Sequence, residues 1–274
     1  MTENDCFTTP AILLRRVDFG DNDLILTFFS LTRGKISLIA KSARQSRKRF
    51  CGALDLFSVF NLVYAAGKGR LPMLQESTIT HPFCRIRSDF KKTAYASYFA
   101  EILNNWMEPE VAQPRAFDLL YQVLDRLDRS DLPDELLSIV FQMTLMILSG
   151  FSPNFSTCCR CHAELDCPGD CRIGVSFAGG GLICSACNAG PVSPMIRLSR
   201  GTIKELQWMG CGNWNKIARA RFSARSVQES LEYLEAFVPY HLGKEPKSLS
   251  VLRGLRHERK TAPENACLKS FEKS

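Results

Sequence analysis

Histidine and tryptophan are scarce in this 274-residue chain, with four of the first and three of the second. The histidines stand at 81, 162, 241 and 257, and none falls in a nucleophile–base arrangement of the kind covalent catalysis needs. No H-E-x-x-H, no G-x-S-x-G and no G-x-x-x-x-G-K-[ST] occurs, which argues against a zincin, a serine hydrolase of that type and a P-loop ATPase. The "GKGR" at 67–70 is a turn and not a phosphate cradle. Long apolar runs are also missing. The longest, Leu136 to Leu148, is broken by Ser138, Gln142 and Thr144 and falls short of the ~20 residues a bilayer requires, so no membrane association is expected. The N-terminus "MTENDCFTTP" carries acids and no basic segment, so no secretory leader is expected either. Internal repeats and low-complexity tracts are absent.

Cysteine, by contrast, is abundant, with twelve residues. With no leader, a cytoplasmic and reducing setting is expected, where clustered cysteines favour metal over disulfide. The chain is 45% hydrophobic and 23% charged, ordinary for a globular protein, and long enough for two or three modules. Its net charge of +7 is unevenly spread. Residues 41–50 hold five basic side chains and no acidic one, whereas 101–140 hold nine acidic against three basic. Such asymmetry suits a polyanion-binding face on a protein that is not basic throughout.

The first 80 residues read as strands. "AILLRRV" (11–17), "LILTFFSL" (24–31), "KISLIAK" (35–41), "LDLFSVFNLVYAA" (54–66) and "LPMLQESTI" (71–79) are rich in β-branched and aromatic residues, and turn signals separate them. Five short strands at this spacing predict a small barrel of the OB type. After His81-Pro82 the period changes to about 3.6. Ile86, Phe90, Ala94, Tyr98 and Ile102 predict a core-facing helix; further helices are expected over 115–129, from Pro133 to Gly150, and over 199–209. Ser226 opens S-V-Q-E, a capping box for a last helix that Pro239 should end or kink. The predicted fold is therefore α+β: a five-stranded OB barrel (1–80), a helical domain (81–154 and 191–252) interrupted by a cysteine module (155–190), and a disordered tail (253–274).

The cysteine module carries the strongest local signal. Cys158-x-x-Cys161 and Cys184-x-x-Cys187 are two knuckles 22 residues apart, slightly more than the usual spacing of four-cysteine zinc sites. Four thiolates would close the coordination sphere of one Zn²⁺ and leave no open position for water, which makes the site structural. Cys159, Cys167 and Cys171 are then surplus, either passengers of a polar insertion or a redox or second-metal pair. His162-x-Glu164 raises a zinc deaminase as a remote alternative, but Ile183 stands where that signature needs proline and the first knuckle would have no purpose.

"IAKSARQSRKRF" (39–50) leaves a predicted strand as a loop whose Lys41, Arg44, Arg47, Lys48 and Arg49 alternate with serines and an amide. That composition tracks phosphates without reading bases. Lys35, Lys68 and Arg70 are candidates to add charge, and Phe50 and Tyr64 are candidate stacking aromatics. Nothing resembles a catalytic constellation, so the chain reads as a binder and not an enzyme. A scaffold that acts through protein contacts is the competing class.

From about Ala11 to Leu252 the order of parts resembles the bacterial recombination mediator family RecO. The resemblance rests on "ILLRRVDFGDNDLILTFFSLTRGKISLIAKSAR", "GALDLFSVFNLVYAAGKGRLPMLQESTI", the two C-x-x-C knuckles with "GGGLICSAC", and "YHLGKEPKSLSVL". It implies an OB-fold, a helical domain and a zinc-binding insertion. Implied activities are binding of single- and double-stranded DNA, strand annealing and displacement of the single-strand binding protein through its C-terminal tail. With the partner RecR, loading of RecA follows, in a cytoplasmic, nucleoid-associated setting. The resemblance also points to Cys158, Cys161, Cys184 and Cys187 as ligands, to Lys41 and Arg44 for DNA, and to Arg197, Arg200 and Lys204 as candidates for DNA or the acidic tail.

Overall fold

A computed structural model describes residues 6–46, 50–51, 54–65, 71–165, 171–188, 195–210 and 214–261. Six strands open the chain: β1 (Cys6–Phe19), β2 (Asp23–Ser30), β3 (Gly34–Ala40), β4 (Phe50–Cys51), β5 (Val59–Ala65) and β6 (Met73–His81). Their order is β3-β2-β1-β5-β6-β4, and a parallel pairing of β3 with β6 at Ile39 and Met73 closes the five long strands into the expected barrel. Alternation along β3 explains the closure, since Ile36, Leu38 and Ala40 are buried while Lys35, Ser37 and Ile39 are only half-buried. Leu24, Leu26, Phe28, Leu62 and Leu74 join them in the interior.

Two departures matter. The first strand is longer than predicted, 14 residues, and its pairing with β2 slips by one residue between Leu13 and Arg15. Phe50 and Tyr64, read as stacking candidates, are instead 3% and 5% exposed within the barrel interior. Phe50 is drawn in because the two-residue β4 pairs with Ser77 and Thr78 of β6.

The helical part begins with α1 (Cys84–Ser88) and α2 (Phe90–Trp106), predicted as one helix but divided at Asp89. Asp89 is extended and its carboxylate accepts the N–H groups of Lys91 and Lys92, so it caps a new helix rather than continuing the old one. Then follow α3 (Pro114–Arg129) and α4 (Asp134–Leu148). Tyr98, fully buried on α2, donates to Gln142 of α4 at 2.9 Å, which satisfies both polar groups in the core. The cysteine region holds strands that glycine richness concealed: β7 (Arg172–Ser176), β8 (Gly181–Ile183) and β9 (Met195–Ser199), in the order β8-β7-β9. Among the described residues four helices follow: α5 (Arg200–Met209), α6 (Trp214–Arg219), α7 (Ala224–Leu242) and α8 (Lys247–Thr261).

The expected capping box at Ser226 is displaced by one turn. Ser223 is the N-cap, its hydroxyl accepting the Ser226 N–H at 3.0 Å. Nor does Pro239 end α7, which continues three residues beyond it. Proline removes the N–H that would reach the carbonyl four residues earlier, at Glu235. The Arg253 guanidinium of α8 donates to that carbonyl instead, at 3.2 Å. The same helix corrects the expectation of disorder from 253 onward, because α8 is ordered to Thr261. Leu249 and Leu252 are buried, Arg253 and Arg256 both meet the buried Glu235 carboxylate, and Glu101 of α2 accepts the Lys247 and Ser248 N–H groups at the start of α8. Residues 262–274 lie outside the described residues.

Barrel and helices share one core. Ile12, Leu14, Phe29, Phe57 and Val59 belong to the same apolar cluster as α2, α3 and α4. At this seam Gly34 has φ 63°, and a Cβ there would meet the Val111 carbonyl oxygen at 1.9 Å, so the close approach needs glycine. Among the described residues no helix is long and apolar enough to cross a membrane.

Candidate metal centre and nucleic-acid interface

The thiol sulfurs of Cys158, Cys161, Cys184 and Cys187 all lie within 4.8 Å of one another. The Cys161 and Cys184 sulfurs are 3.7 Å apart, close to the ~3.8 Å edge of a tetrahedron with Zn–S bonds of ~2.3 Å. Local hydrogen bonds build each knuckle. The N–H groups of Arg160 and Cys184 both point at the Cys158 sulfur at 3.5 Å, and that of Cys187 at the Cys184 sulfur at 3.4 Å. Cys161 is followed by His162 at φ 59°, which turns the chain so that Ala163 can accept the Cys158 N–H. β8 delivers the second pair, and Cys159 N–H to Leu182 O at 2.7 Å ties the knuckles together.

Burial pushes the Cys158 thiol up, but the N–H groups of Cys161, Cys184 and Arg160 outweigh it and bring the thiol down to about 6. Cys187 moves the other way, to about 12, because its thiol hydrogen-bonds to the Cys184 and Cys161 sulfurs. A bound cation would favour the deprotonated form of all four thiols. This donor set and geometry fit a tetrahedral divalent ion. Cys159 stands outside the cluster and packs against Gly179. Cys171 is half-buried against the core and disulfide-bonded, not an exposed passenger, and Cys167 lies outside the described residues. His162 and Glu164 are exposed, so nothing here makes a deaminase pocket.

The basic residues divide. Lys41 and Arg44 come together at the tip of the β1–β2 hairpin, where acids hold them. Lys41 bridges Asp23 at 2.7 Å and Arg44 bridges Asp18 at 3.0 Å, and all but Asp23 are about half exposed or more. Further bonds from Ser42 N–H to Asp23, Arg44 to the Asp21 carbonyl and Gln45 to Asn22 fasten the loop to the hairpin. The Asp23 carboxyl is held below its usual range by these partners, Lys41 first. Lys35 is elsewhere. Its ammonium donates to the Asn104 carbonyl at the end of α2 at 2.7 Å, half-buried at the seam, and burial pushes it down, with Lys244 adding to the effect. It serves the barrel–helix joint, a role that its place in an alternating strand did not reveal.

Arg47, Lys48, Arg49, Lys68 and Arg70 lie outside the described residues. The chain re-emerges from 66–70 beside the same end of β3 as Lys41, since the Ile39 N–H donates to Pro72 O at 2.9 Å. Arg197, Arg200 and Lys204 are exposed on β9 and α5, with the Arg197 carbonyl accepting from Arg172 at 3.0 Å.

Two family profiles cover most of the chain: "Recombination protein O N terminal" over residues 2–83 and "Recombination protein O C terminal" over 87–250. Proteins named DNA repair protein RecO are similar along nearly their whole length. That of Desulfatibacillum aliphaticivorans is 42% identical over 251 residues, 91% of this chain and 97% of its own. That of Desulfosudis oleivorans is 38% identical over 256 residues (92% and 98%), and that of Syntrophus aciditrophicus 32% over 246 (89% and 94%). With both profiles matched in order and relatives up to 42% identical over most of their length, the chain belongs to the RecO family of DNA repair proteins.

Proposed function

We propose that this protein is a recombination mediator that binds single- and double-stranded DNA and anneals complementary strands. With RecR it would help load RecA onto DNA covered by the single-strand binding protein, whose C-terminal tail it would engage. Family membership carries this reading, and the basic segment 41–49, rooted on the closed barrel, supports it. The physics is simple. Cations that neutralise phosphates release condensed counterions and lower the repulsion between two strands, after which base pairing is downhill and no fuel is required. No residue need act as acid, base or nucleophile. The protein is a binder and not an enzyme on this reading, working in the cytoplasm on the nucleoid.

One observation favours the protein-adaptor alternative: Lys41 and Arg44 are already paired with acids, which lowers the charge they offer to phosphate. Fluorescence polarisation of a labelled single strand against salt, with the purified protein alone, separates the two. Binding that weakens with salt supports the mediator. No binding at low salt would leave the adaptor.

The ion that suits the four thiols is Zn²⁺, one per chain, held by Cys158, Cys161, Cys184 and Cys187. When bound it supplies a cross-link between the two knuckles, and the closed sphere leaves it no catalytic position. Metal analysis of the purified protein, with Cys184→Ser as control, tests this assignment.

A further inference from the structure

Far from the barrel and the thiols, the helices leave an open groove. It has a volume of about 890 Å³ and lies between the start of α4 and helices α6, α7 and α8. Leu132, Leu136, Ile217, Phe222, Val227 and Leu231 give it an apolar floor, on which Phe222 and Val227 are only half-buried. Ala218, Ala220 and Ala224 also line it, and their side chains are too short to fill it. Open apolar surface of this kind marks a site of interaction.

One wall of the groove is α8. That helix starts at Glu101, which accepts the Lys247 and Ser248 N–H groups, and passes Glu235, where Arg253 and Arg256 bridge the carboxylate. Both arginines line the groove. Thr261, the last residue of α8, stands ~7.5 Å of helix beyond Arg256, so the chain leaves α8 close to the groove. The segment "APENACLKSFEKS" (262–274) comes next, and Pro263 has no N–H with which to prolong a helix. Leu268 and Phe271 stand three apart, the spacing of neighbours on one face of a helical turn, and Lys269 and Lys273 flank Phe271.

Groove and segment match in charge as well as in apolarity. Of the acids that line the groove, Glu235 is taken by Arg253 and Arg256, and Glu135 by Lys91. Asp131 and Glu232 are exposed on its rim with no ion pair among the described residues. We propose that residues 262–274 dock in this groove of their own chain, with Leu268 and Phe271 on the apolar floor and Lys269 and Lys273 against Asp131 and Glu232. The six residues between Thr261 and Leu268 reach up to ~20 Å, about twice the ~10 Å edge of a cube of that volume. Tethering favours this occupant over any free one. A short flexible linker gives an effective concentration of ~1 mM, so a contact of only ~0.1 mM is filled about nine parts in ten. A foreign peptide that enters the groove must first displace this segment.

Hydrogen exchange of the full chain without DNA, read by mass spectrometry, tests the docking. The amides of 266–272 should exchange about tenfold more slowly than in a free peptide of residues 262–274, the factor that ~1 mM against ~0.1 mM implies. Val227→Asp places a charge on the floor and should abolish that protection. Asp131→Lys with Glu232→Lys should lose most of it, and adding Lys269→Glu with Lys273→Glu should restore it, a rescue that a failure to fold cannot give. Free-peptide rates in the wild type would overturn the docking. So would protection that persists in a folded Val227→Asp chain, since an extension of α8 would then account for it. Protection that fades on dilution while a dimer dissociates in sedimentation assigns the groove to the segment of a second copy, and the proposal is wrong.

Discussion

Replacing Arg253 with methionine should reveal how a proline survives inside α7. Arg253 donates to the Glu235 carbonyl that Pro239 leaves without an N–H, and to the Glu235 carboxylate at 3.4 Å, which is only 5% exposed. Methionine keeps the apolar stem and removes both bonds, together with the exposed ion pair between Arg253 and Glu245. The carboxylate retains Arg256, so its loss is partial, whereas the carbonyl loses the guanidinium that stands in for the missing proline N–H. An orphaned buried acceptor costs ~1–3 kcal/mol, so a destabilisation of about 2 kcal/mol is expected. Pro239→Ala restores the N–H. In that background Arg253→Met should cost ~1 kcal/mol less, well beyond the ~0.3–0.5 kcal/mol within which independent sites add. Urea unfolding of the four proteins gives the coupling directly from the midpoints at constant slope. Strict additivity would refute the link between Arg253 and the proline, and would leave the persistence of α7 to packing of Phe237 and Val238 alone.

Other outcomes follow from the same geometry. Cys184→Ser should lose bound metal and lower the melting temperature together; a variant that keeps its metal, measured by elemental analysis, would show that the four thiols are not one site. Lys35→Met should weaken the barrel–helix joint by ~1 kcal/mol in urea unfolding while leaving single-strand affinity within twofold, because its ammonium is spent on the Asn104 carbonyl. Glu229 should steepen acid unfolding. Burial pushes its carboxyl up, but the Ser199 N–H, the Thr202 and Ser199 hydroxyls and Arg225 hold it down to about 2. Since the folded value is the lower one, its contribution is complete above the unfolded value of about 4.5 and is lost as pH falls from ~5 to ~2, so Glu229→Gln should flatten that limb of a stability-versus-pH curve.

Much of this molecule was legible in the order of its residues, and the exceptions share a cause. The knuckle spacing located all four thiols, because a tetrahedral site is specified by a local pattern. Three of the five long strands fell within two residues of their predicted bounds; β1 begins five residues before its predicted start, and the fourth predicted strand began at 54 where β5 begins at Val59. What stayed hidden depended on partners distant in sequence. Asp89 divides a helix because its carboxylate finds N–H groups only when the chain turns there. Pro239 is tolerated because Arg253 arrives from the next helix, and "RGLRHERK" is ordered in part because its arginines meet a carboxylate buried elsewhere. Lys35 and Lys41 bracket one strand of seven residues, yet one faces a helix end and the other faces solvent. Phe50 was a stacking candidate in the sequence and is buried in fact, because the two-residue β4 draws it against β6.

The most direct measurement of the central claim is the affinity of the purified full chain for a labelled single strand as a function of salt, alone and with Arg47→Glu, Lys48→Glu and Arg49→Glu combined. The substitutions leave Lys41 and Arg44 in place. The wild type should bind in low salt and weaken steeply as salt rises, with ~0.7 of slope for every phosphate neutralised. The triple variant should bind more weakly to every sequence alike, with a slope smaller by about 2. A wild type that binds no single strand at low salt, or a folded variant that matches it in affinity and slope, would contradict nucleic-acid binding through this loop.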